Sequence, residues 1–380
     1  MPRLSVHLVA WNGAKYIPYL FESLRAQTYK DWELLAIDNN SQKDNTAVLI
    51  EQELKNFPVP ARLIRNKENN GFAGGHNQAI RFTVDSSQST VYFQLLNQDM
   101  YLAPNYFERV VAMMDAHLEA GAGQGILLRW RFAEIRNPKS EIRNNLSDVV
   151  DTMGLKVVRN RRVVDWCTGK RIRELETSEL DTSNTNAPIR QFASPLEVFG
   201  VSGALPIYRR KAVEDVAFEG PTRPTFAISK SSVGQVFDED FFSYKEDVDL
   251  AFRLRSAGWK AYVEPAARAW HDRTAAGPRE MSDQAALKNR KGRPDYVNRY
   301  SYRNHLIVLL KNEHRANFMH DWPWIVLYEL KKLVYLLFTD WKTLKGLGEV
   351  RGLWKRTMEK RRFIMRHYKI KPSEMRKWYV

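Results

Sequence analysis

Four stretches of the 380-residue chain gather polar residues that an apolar core does not need, each close to a short apolar run. Asp38-Asn39-Asn40-Ser41 closes the run WELLAID, where an aspartate at a strand tip can accept a hydrogen bond from a nucleobase imide N–H. The competing reading is a helix N-cap supplied by Asn or Ser. NKENNGFAGGHNQAI (66–80) is a glycine-rich loop opening a helix, able to bring main-chain amides close to a ligand. It is not a Walker-type phosphate loop, because no Gly-Lys-Ser/Thr follows. LLNQDM (95–100) ends another run with Asn97, Gln98 and Asp99. A single carboxylate there can hold a divalent cation that bridges a diphosphate, since Mg²⁺ commonly takes only one or two protein carboxylates. As a turn former the same aspartate needs no ligand. Finally, Asp238, Asp240, Glu246, Asp247 and Asp249 crowd together within a dozen residues. Like charges so close are costly unless a metal, a substrate or basic groups occupy the space.

The elements that position these residues are legible from hydrophobic periodicity. Runs at 4–10, 32–38, 61–66, 91–99 and 125–129 read as buried strands, short and rich in Leu, Ile, Val and aromatics. Between them, Ile17, Leu20, Phe21 and Leu24, and again Phe107, Val110, Val111 and Met114, form helical stripes. Strands alternating with helices imply βαβ units, a mainly parallel sheet and ligands at the carboxyl ends of the strands. A later helix is expected to begin near Glu246-Asp247, with Val248, Ala251, Phe252 and Leu254 on one face and Gly258 ending it. The expected organisation is a βαβ half at 1–130, an irregular, partly β insertion at 131–196, a second half at 197–300 and a basic helical region at 301–380.

The net charge of +15 is unevenly spread: residues 281–380 hold 23 Lys/Arg against 9 Asp/Glu, while residues 1–280 are nearly balanced. Residues 351–377 carry 11 Lys/Arg and two Glu, with Leu353, Trp354, Met358, Ile364, Met365 and Tyr368 interleaved. That pattern suits a basic amphipathic helix lying on an anionic leaflet, or equally one folded back on the body with a solvated basic face. The one cysteine, Cys167, excludes an intrachain disulfide and a cysteine-cluster metal site, which fits a reducing compartment. No signal peptide is expected at the amino end. Glu329, Lys331 and Lys332 interrupt the apolar stretch 324–341, so no spanning helix is expected either. The expected location is the cytoplasm, peripheral to the inner face of the cell membrane.

Six blocks, AWNGAKYIPYLFESLRAQTYKDWELLAIDNNS, NNGFAGGHNQAI, LLNQDM, FGVSGALPIYRR, FDEDFFSYKEDVDLAFRLRSAGW and YSYRNHLIVLLKNE, together resemble the inverting family 2 glycosyltransferases, most closely their rhamnosyltransferase-like branch. The likeness covers about 1–130 and 197–312 in the same order, and DTMGLKVVRNRRVVDW (151–166) is similar to the middle segment of that branch. It implies a glycosyltransferase A-type α/β fold, a Rossmann-like, mixed and mainly parallel sheet with helices on both faces, extended by a helical C-terminal region. It also implies a nucleoside-diphosphate sugar donor, dTDP- or UDP-linked, a divalent cation (Mg²⁺ or Mn²⁺) and inversion at the anomeric carbon.

Residue by residue, the resemblance assigns Asp38 to the pyrimidine base, Asn70 and Gly71 to the loop beside the nucleoside, and Asn97 to the donor nucleotide. Asp99 matches the last carboxylate of the metal motif; Gln98 departs from the usual Asn-Pro-Asp at its middle position. Asp247 matches the general base and His271, in AWHDR, a late histidine that can ligate the metal. Glu246 is expected to orient the acceptor and Asp238 to meet the donor or acceptor sugar. The insertion at 219–235, with Val236 in place of a glycine, is a further departure and points to a different acceptor side.

The implied reaction moves a sugar, by preference rhamnose, to a hydroxyl of a growing cell-surface glycan that is lipid-linked. A transferase of galactose or N-acetylglucosamine is the alternative within enzymes. A non-catalytic nucleotide-sugar-binding relative would be expected to lack Asp99 or Asp247, and both are present. A nucleic-acid-binding protein is suggested by the basic pI alone; the basic residues avoid the body and no recognition motif occurs, so no nucleic acid is expected.

Overall fold

The computed structural model of the chain describes residues 2–132, 145–177, 194–219, 233–273, 290 and 292–380. Its first half is built from β1 (Leu4–Ala10), α1 (Ile17–Arg25), β2 (Trp32–Asp38), α2 (Thr46–Glu53), β3 (Ala61–Arg65), α3 (Gly71–Ser86) and β4 (Tyr92–Asn97). There follow β5 (Met100–Leu102), α4 (Tyr106–Ala116) and the long β6 (Ala120–Trp130). Strands β3, β2, β1 and β4 lie side by side and parallel. Every residue of β1 except Val9 is buried, as a parallel strand covered on both faces requires. The register pairs Ala10 with Asp38 and Val9 with Asn97, so the polar residues of separate strands end at one edge.

The second half continues the same sheet. Within 145–177 the chain forms β7 (Leu146–Thr152), β8 (Leu155–Val157), β9 (Val163–Asp165) and α5 (Ile172–Thr177), the partly β character expected of this insertion. β10 (Leu196–Val198), β11 (Ile207–Arg209), α6 (Arg210–Val216), α7 (Glu246–Ser256) and β12 (Lys260–His271) follow. β11 runs antiparallel between β4 and β6, and β12 runs parallel to β6. The sheet is therefore mixed, with its longest ladders parallel, as expected. A register shift in β12 between Glu264 and Arg268 lets its last residues pair with both β6 and β5. Most of the 219–235 insertion, residues 220–232, lies outside the described residues.

The C-terminal region is helical: α8 (Asp295–Asn312), α9 (Arg315–Thr339), α10 (Lys345–Arg366) and α11 (Pro372–Arg376). It is not an appendage, and the boundary expected at 300/301 falls inside α8. Val350, Ile364, Met375 and Tyr379 are buried; Val350, Met375 and Tyr379 share one apolar cluster with Val157, Phe199, Phe252 and Ile307. The chain end joins the body through main chain as well: Val380 N–H donates to Val157 O (3.1 Å) and Arg159 N–H to Val380 O (2.7 Å). Of the two readings open for 351–377, the folded-back helix is the one observed. The apolar positions at 326, 330, 334, 337 and 341, by contrast, point outward.

Candidate active site

The donor-side residues sit where the β2 tip meets the start of α3. Asp38 is buried; its Oδ2 accepts from Ser41 N–H (3.2 Å), while Oδ1 has no hydrogen-bond partner. An orphaned buried acceptor costs free energy unless a ligand satisfies it, which fits an imide N–H donor. The N-cap alternative is not observed, since α2 begins at Thr46 and its cap position is Asn45. Asn39 instead ties the loop together, accepting from Asn66 Nδ2 and Asn70 N–H (both 3.1 Å) and donating to Asn69 Oδ1 (3.0 Å) and Gly71 O (3.1 Å). Gly71 has φ +68°, and a Cβ there would come within 2.3 Å of Phe242 O. Only glycine lets the donor loop press against the loop that leads into α7.

At the end of β4, the Gln98 side chain grips the main chain of Trp11, accepting from its N–H (2.8 Å) and donating to its carbonyl (3.1 Å). The departure from Asn-Pro-Asp thus fastens the loop after β1 to the turn carrying Asp99. Antiparallel pairing of β12 with β5 matches His271 to Met100, which brings His271 Nε2 to 3.4 Å from Asp99 Oδ1. Asp272 N–H donates to Asp99 O (3.0 Å) and locks the approach. The other ring nitrogen, Nδ1, lies 2.9 Å from the buried Asp151 Oδ2. Burial opposes charge on His271, but Asp99 and Asp151 outweigh it and push the imidazole up to about 10.

A carboxylate beside an imidazole whose far nitrogen is anchored by a second, buried carboxylate suits a divalent cation. Among the described residues no group of three or more His, Cys, Asp or Glu is arranged to hold a metal. Asp99 and His271 are the two residues here that could hold such a cation, and Mg²⁺ sites commonly use no more than one or two protein carboxylates.

The general-base candidate stands at the start of α7, behind a loop in uncommon backbone geometry. Phe242, Tyr244 and Lys245 all have positive φ, at 62°, 73° and 74°. Such conformations persist only when surroundings enforce them. Here Asn304 Nδ2 donates to the carbonyls of Phe241 (3.1 Å), Ser243 (2.9 Å) and Tyr244 (2.7 Å), and Arg303 Nη2 to those of Asp240 (2.8 Å) and Phe241 (3.0 Å). The late Arg-Asn of the sequence is a brace for this loop. Asp247 is aimed by Gly203 N–H, which donates to its Oδ2 (2.9 Å), and burial raises its carboxyl above the ordinary value. Glu246 is more deeply buried, and burial together with Asp247 pushes it up to about 8; its Oε2 has no hydrogen-bond partner.

A cavity of about 440 Å³ brings Asn97, Asp99, Glu246, Asp247 and His271 together. Asp38, Asn70 and Gly71 lie outside its lining, although Phe72, next to Gly71, is part of it. Asp238 is also outside. Its carboxylate is wholly buried between Lys311 Nζ and Lys360 Nζ, so the expected contact with a sugar is not what this placement offers. Asp249 likewise pairs with Arg253 (3.0 Å) and Lys311 (2.9 Å), and Asp240 with Lys360 (2.8 Å). Basic groups thus neutralise Asp238, Asp240 and Asp249, Glu239 between them meets Arg81 (3.6 Å), and Glu246 and Asp247 are left for the cavity.

Sequence reasoning missed Asp151 and four basic residues at the cavity, Arg162, Lys245, Arg273 and Arg293. Arg273 Nη1 pairs with Asp165 (2.6 Å), also on the wall. Lys245 and Arg273 stand in the quoted motifs beside Glu246 and His271 and Arg162 in the run VVRNRRVVDW, but nothing in the local spacing says that these charges meet in one cavity.

Residues 5–217, more than half of the chain, match the family described as Glycosyl transferase family 2. The chain belongs to that family. Among solved structures it is similar to GalNAc-T7 crystallised with UDP, GalNAc and Mn²⁺, with a TM-score of 0.52 at 12% identity over 82% of this chain and 48% of that one. The family 2 chain thus has the glycosyltransferase A-type fold. It is 37% identical over 65 residues to the N-acetylglucosaminyl-diphospho-decaprenol L-rhamnosyltransferase of Mycobacterium tuberculosis (17% of this chain, 21% of the relative). It is 28% identical over 103 residues to the teichoic acid poly(glycerol phosphate) polymerase of Staphylococcus epidermidis (27% of this chain, 14% of the relative). These matches span a quarter or less of each relative.

Proposed function

We propose that this family 2 chain transfers a sugar, with inversion, from a nucleoside-diphosphate sugar to a hydroxyl of a lipid-linked cell-surface glycan at the cytosolic face of the membrane. The observation that carries the reading is one cavity lined both by Asp99 with His271 and by Asp247 with Glu246. Rhamnose is the preferred sugar, supported by the matched segment of the mycobacterial relative; galactose or N-acetylglucosamine is the alternative. The acceptor class is supported by the teichoic acid in the name of one relative and the N-acetylglucosaminyl-diphospho-decaprenol in the name of the other.

The nucleobase meets Asp38, whose free Oδ1 awaits a donor, and the nucleoside rests beside Asn70 and Gly71. Asn97 faces the donor from the tip of β4. Asp99 and His271 would hold the Mg²⁺ or Mn²⁺ that, when bound, supplies positive charge against the departing diphosphate. Arg162, Arg273 and Arg293 add positive charge to the same cavity. Inversion requires the acceptor hydroxyl to attack the anomeric carbon from the face opposite the diphosphate and to give up its proton there. Asp247, held ready by Gly203, takes that proton. Glu246, protonated at neutral pH, donates a hydrogen bond to acceptor or sugar.

The test is a panel of dTDP-, UDP- and GDP-sugars with and without Mn²⁺, read by donor hydrolysis and thermal stabilisation, on wild type and Asp247→Asn. The variant should keep donor binding and lose about 10²–10⁴-fold in turnover. Retained turnover would remove Asp247 from the chemistry, and silence of the whole panel would remove the reading.

A further inference from the structure

Helix α9 is turned inside out for a water-soluble surface. Its inward face carries Asn317, Asp321, Glu329 and Lys332 beside Ile325 and Leu336. Asp321 pairs with Arg159 (2.8 Å) and Arg161 (3.1 Å), Asn317 Nδ2 donates to Pro372 O (2.9 Å), and Glu329 Oε1 meets His305 Nε2 (2.6 Å). The outward face carries Met319, Trp322, Leu327, Leu330, Leu337 and Phe338, the last 84% exposed and Leu327 69%. An ordinary amphipathic helix does the reverse. From Met319 to Trp341 this stripe runs about 33 Å along the surface. A continuous apolar surface of that length marks an interaction site.

We infer that the outer face of α9 is a membrane-docking surface for an anionic lipid leaflet, into which it inserts parallel to the bilayer plane. Charge selects this occupant. The chain as a whole carries a net +15, which pairing within it does not alter, and two copies joined through α9 would bring like charge together. An anionic leaflet attracts them. Trp322 and Trp324 near one end and Trp341 at the other suit the headgroup boundary, where an apolar ring keeps a polar N–H wet. Lys345 stands over the Trp341 ring at 5.7 Å, placing a cation beside the stripe. No helix among the described residues is long and apolar enough to cross a membrane, so α9 lies on the leaflet and does not span it. The docking element is therefore α9, not the basic stretch at 351–377, several of whose cations are spent on Asp238, Asp240 and a main-chain carbonyl. The inference deepens the proposed function: α9 packs on α8, whose Ser301 lines the cavity, so a lipid-borne acceptor would be presented one helix from Asp247.

The experiment is co-sedimentation of the full chain with vesicles of phosphatidylglycerol and phosphatidylcholine, or of phosphatidylcholine alone, at low and high salt. The variant Leu327→Asp/Leu330→Asp/Phe338→Asp and the milder Leu330→Gln/Phe338→Gln change exposed positions only, and melting temperature checks their folding. Wild type should bind the anionic vesicles, more weakly in high salt, with a blue shift of tryptophan emission. The triple variant should bind at least tenfold more weakly, with donor hydrolysis, melting temperature and oligomeric state unchanged. Wild type that ignores vesicles, or variants that bind as it does, would overturn the inference. So would a wild-type dimer that the variants convert to monomer, which assigns the face to a second copy. Vesicle binding is read without sugar transfer, so failure of the proposed reaction and failure of this surface are separate results.

Discussion

Replacing Lys360 by Met tests whether the last long helix is part of the catalytic body. Lys360 Nζ contacts Asp238 Oδ1 and lies 2.8 Å from Asp240 Oδ2, with its side chain mostly buried. Methionine keeps the stem's bulk and deletes the charge. Removing one partner of a buried ion pair costs about 3–5 kcal/mol, because the other charge is stranded. Lys311 still holds Asp238 Oδ2 and Arg356 still meets Asp240, so the low end, about 3 kcal/mol, applies here. At roughly 2 °C per kcal/mol for a chain of this size, melting should fall by about 6 °C at pH 7.

The pH dependence sharpens the test. Burial alone would raise the Asp238 carboxyl, but Lys311 and Lys360 hold it far below the usual carboxylate range. A depressed folded value stabilises above the unfolded value of about 3.8 and is lost as pH falls through and below it. In Lys360→Met the carboxyl is less depressed, so the gap to wild type should narrow below pH 3.8. The measurement is differential scanning calorimetry from pH 7 to 3, with Asp238→Asn alongside. Equal melting of variant and wild type at pH 7, together with a folded chain ending at residue 345, would refute the view that the tail is structural.

Asp99→Ala should abolish turnover and weaken metal-dependent donor binding, and Asp151→Ala, which leaves His271 unanchored, should lower Mn²⁺ affinity about 10–100-fold; titration calorimetry with donor present reads both, and unchanged metal dependence would move the cation elsewhere. Glu246, pushed up to about 8 by burial and Asp247, holds a proton at neutral pH, so wild-type kcat should fall above pH 8 while Glu246→Gln keeps activity and loses that limb. The same proton makes stability fall between about pH 4.5 and 8, because the unfolded chain has already released it, and Glu246→Gln should flatten that slope. Asn304→Asp, nearly isosteric but without the donor, should cost about 1–3 kcal/mol and lower kcat as much as Asn304→Ala does; a fully active Asp variant would show that the brace on the 242–245 loop is dispensable.

The parallel strands and the residues at their tips were legible because both signals are local. WELLAID is a strand by composition and Asp38 its last residue; LLNQDM ends a strand and turns within three residues. The pairing of Asp99 with His271 was legible only through the family resemblance, for it depends on β12 shifting register and running beside β5. Asp151 gives no signal of its own, lying on a short edge strand and becoming functional only through the ring it anchors. Asp238 was misplaced for a related reason. Its neighbours Asp240, Glu246 and Asp247 made it look like part of one acidic site, whereas its charge is matched by lysines 73 and 122 positions away.

The tail shows why a charge count along the chain and a charge distribution in space part company. Summed linearly, 351–377 is a strongly basic stretch with 11 Lys/Arg against two Glu, and the natural membrane anchor. In the folded chain Arg356 and Lys360 answer acidic groups of the 238–240 loop, and Arg361 donates to Leu310 O (2.7 Å). What the count discards is the partner of each charge, and the same omission hid α9. Its Glu329 and Lys332 break the apolar stretch and argue correctly against a spanning helix, but they face His305 and the Tyr302 ring, not water. Once those polar groups are assigned inward, the apolar residues left outside need a surface that water does not provide.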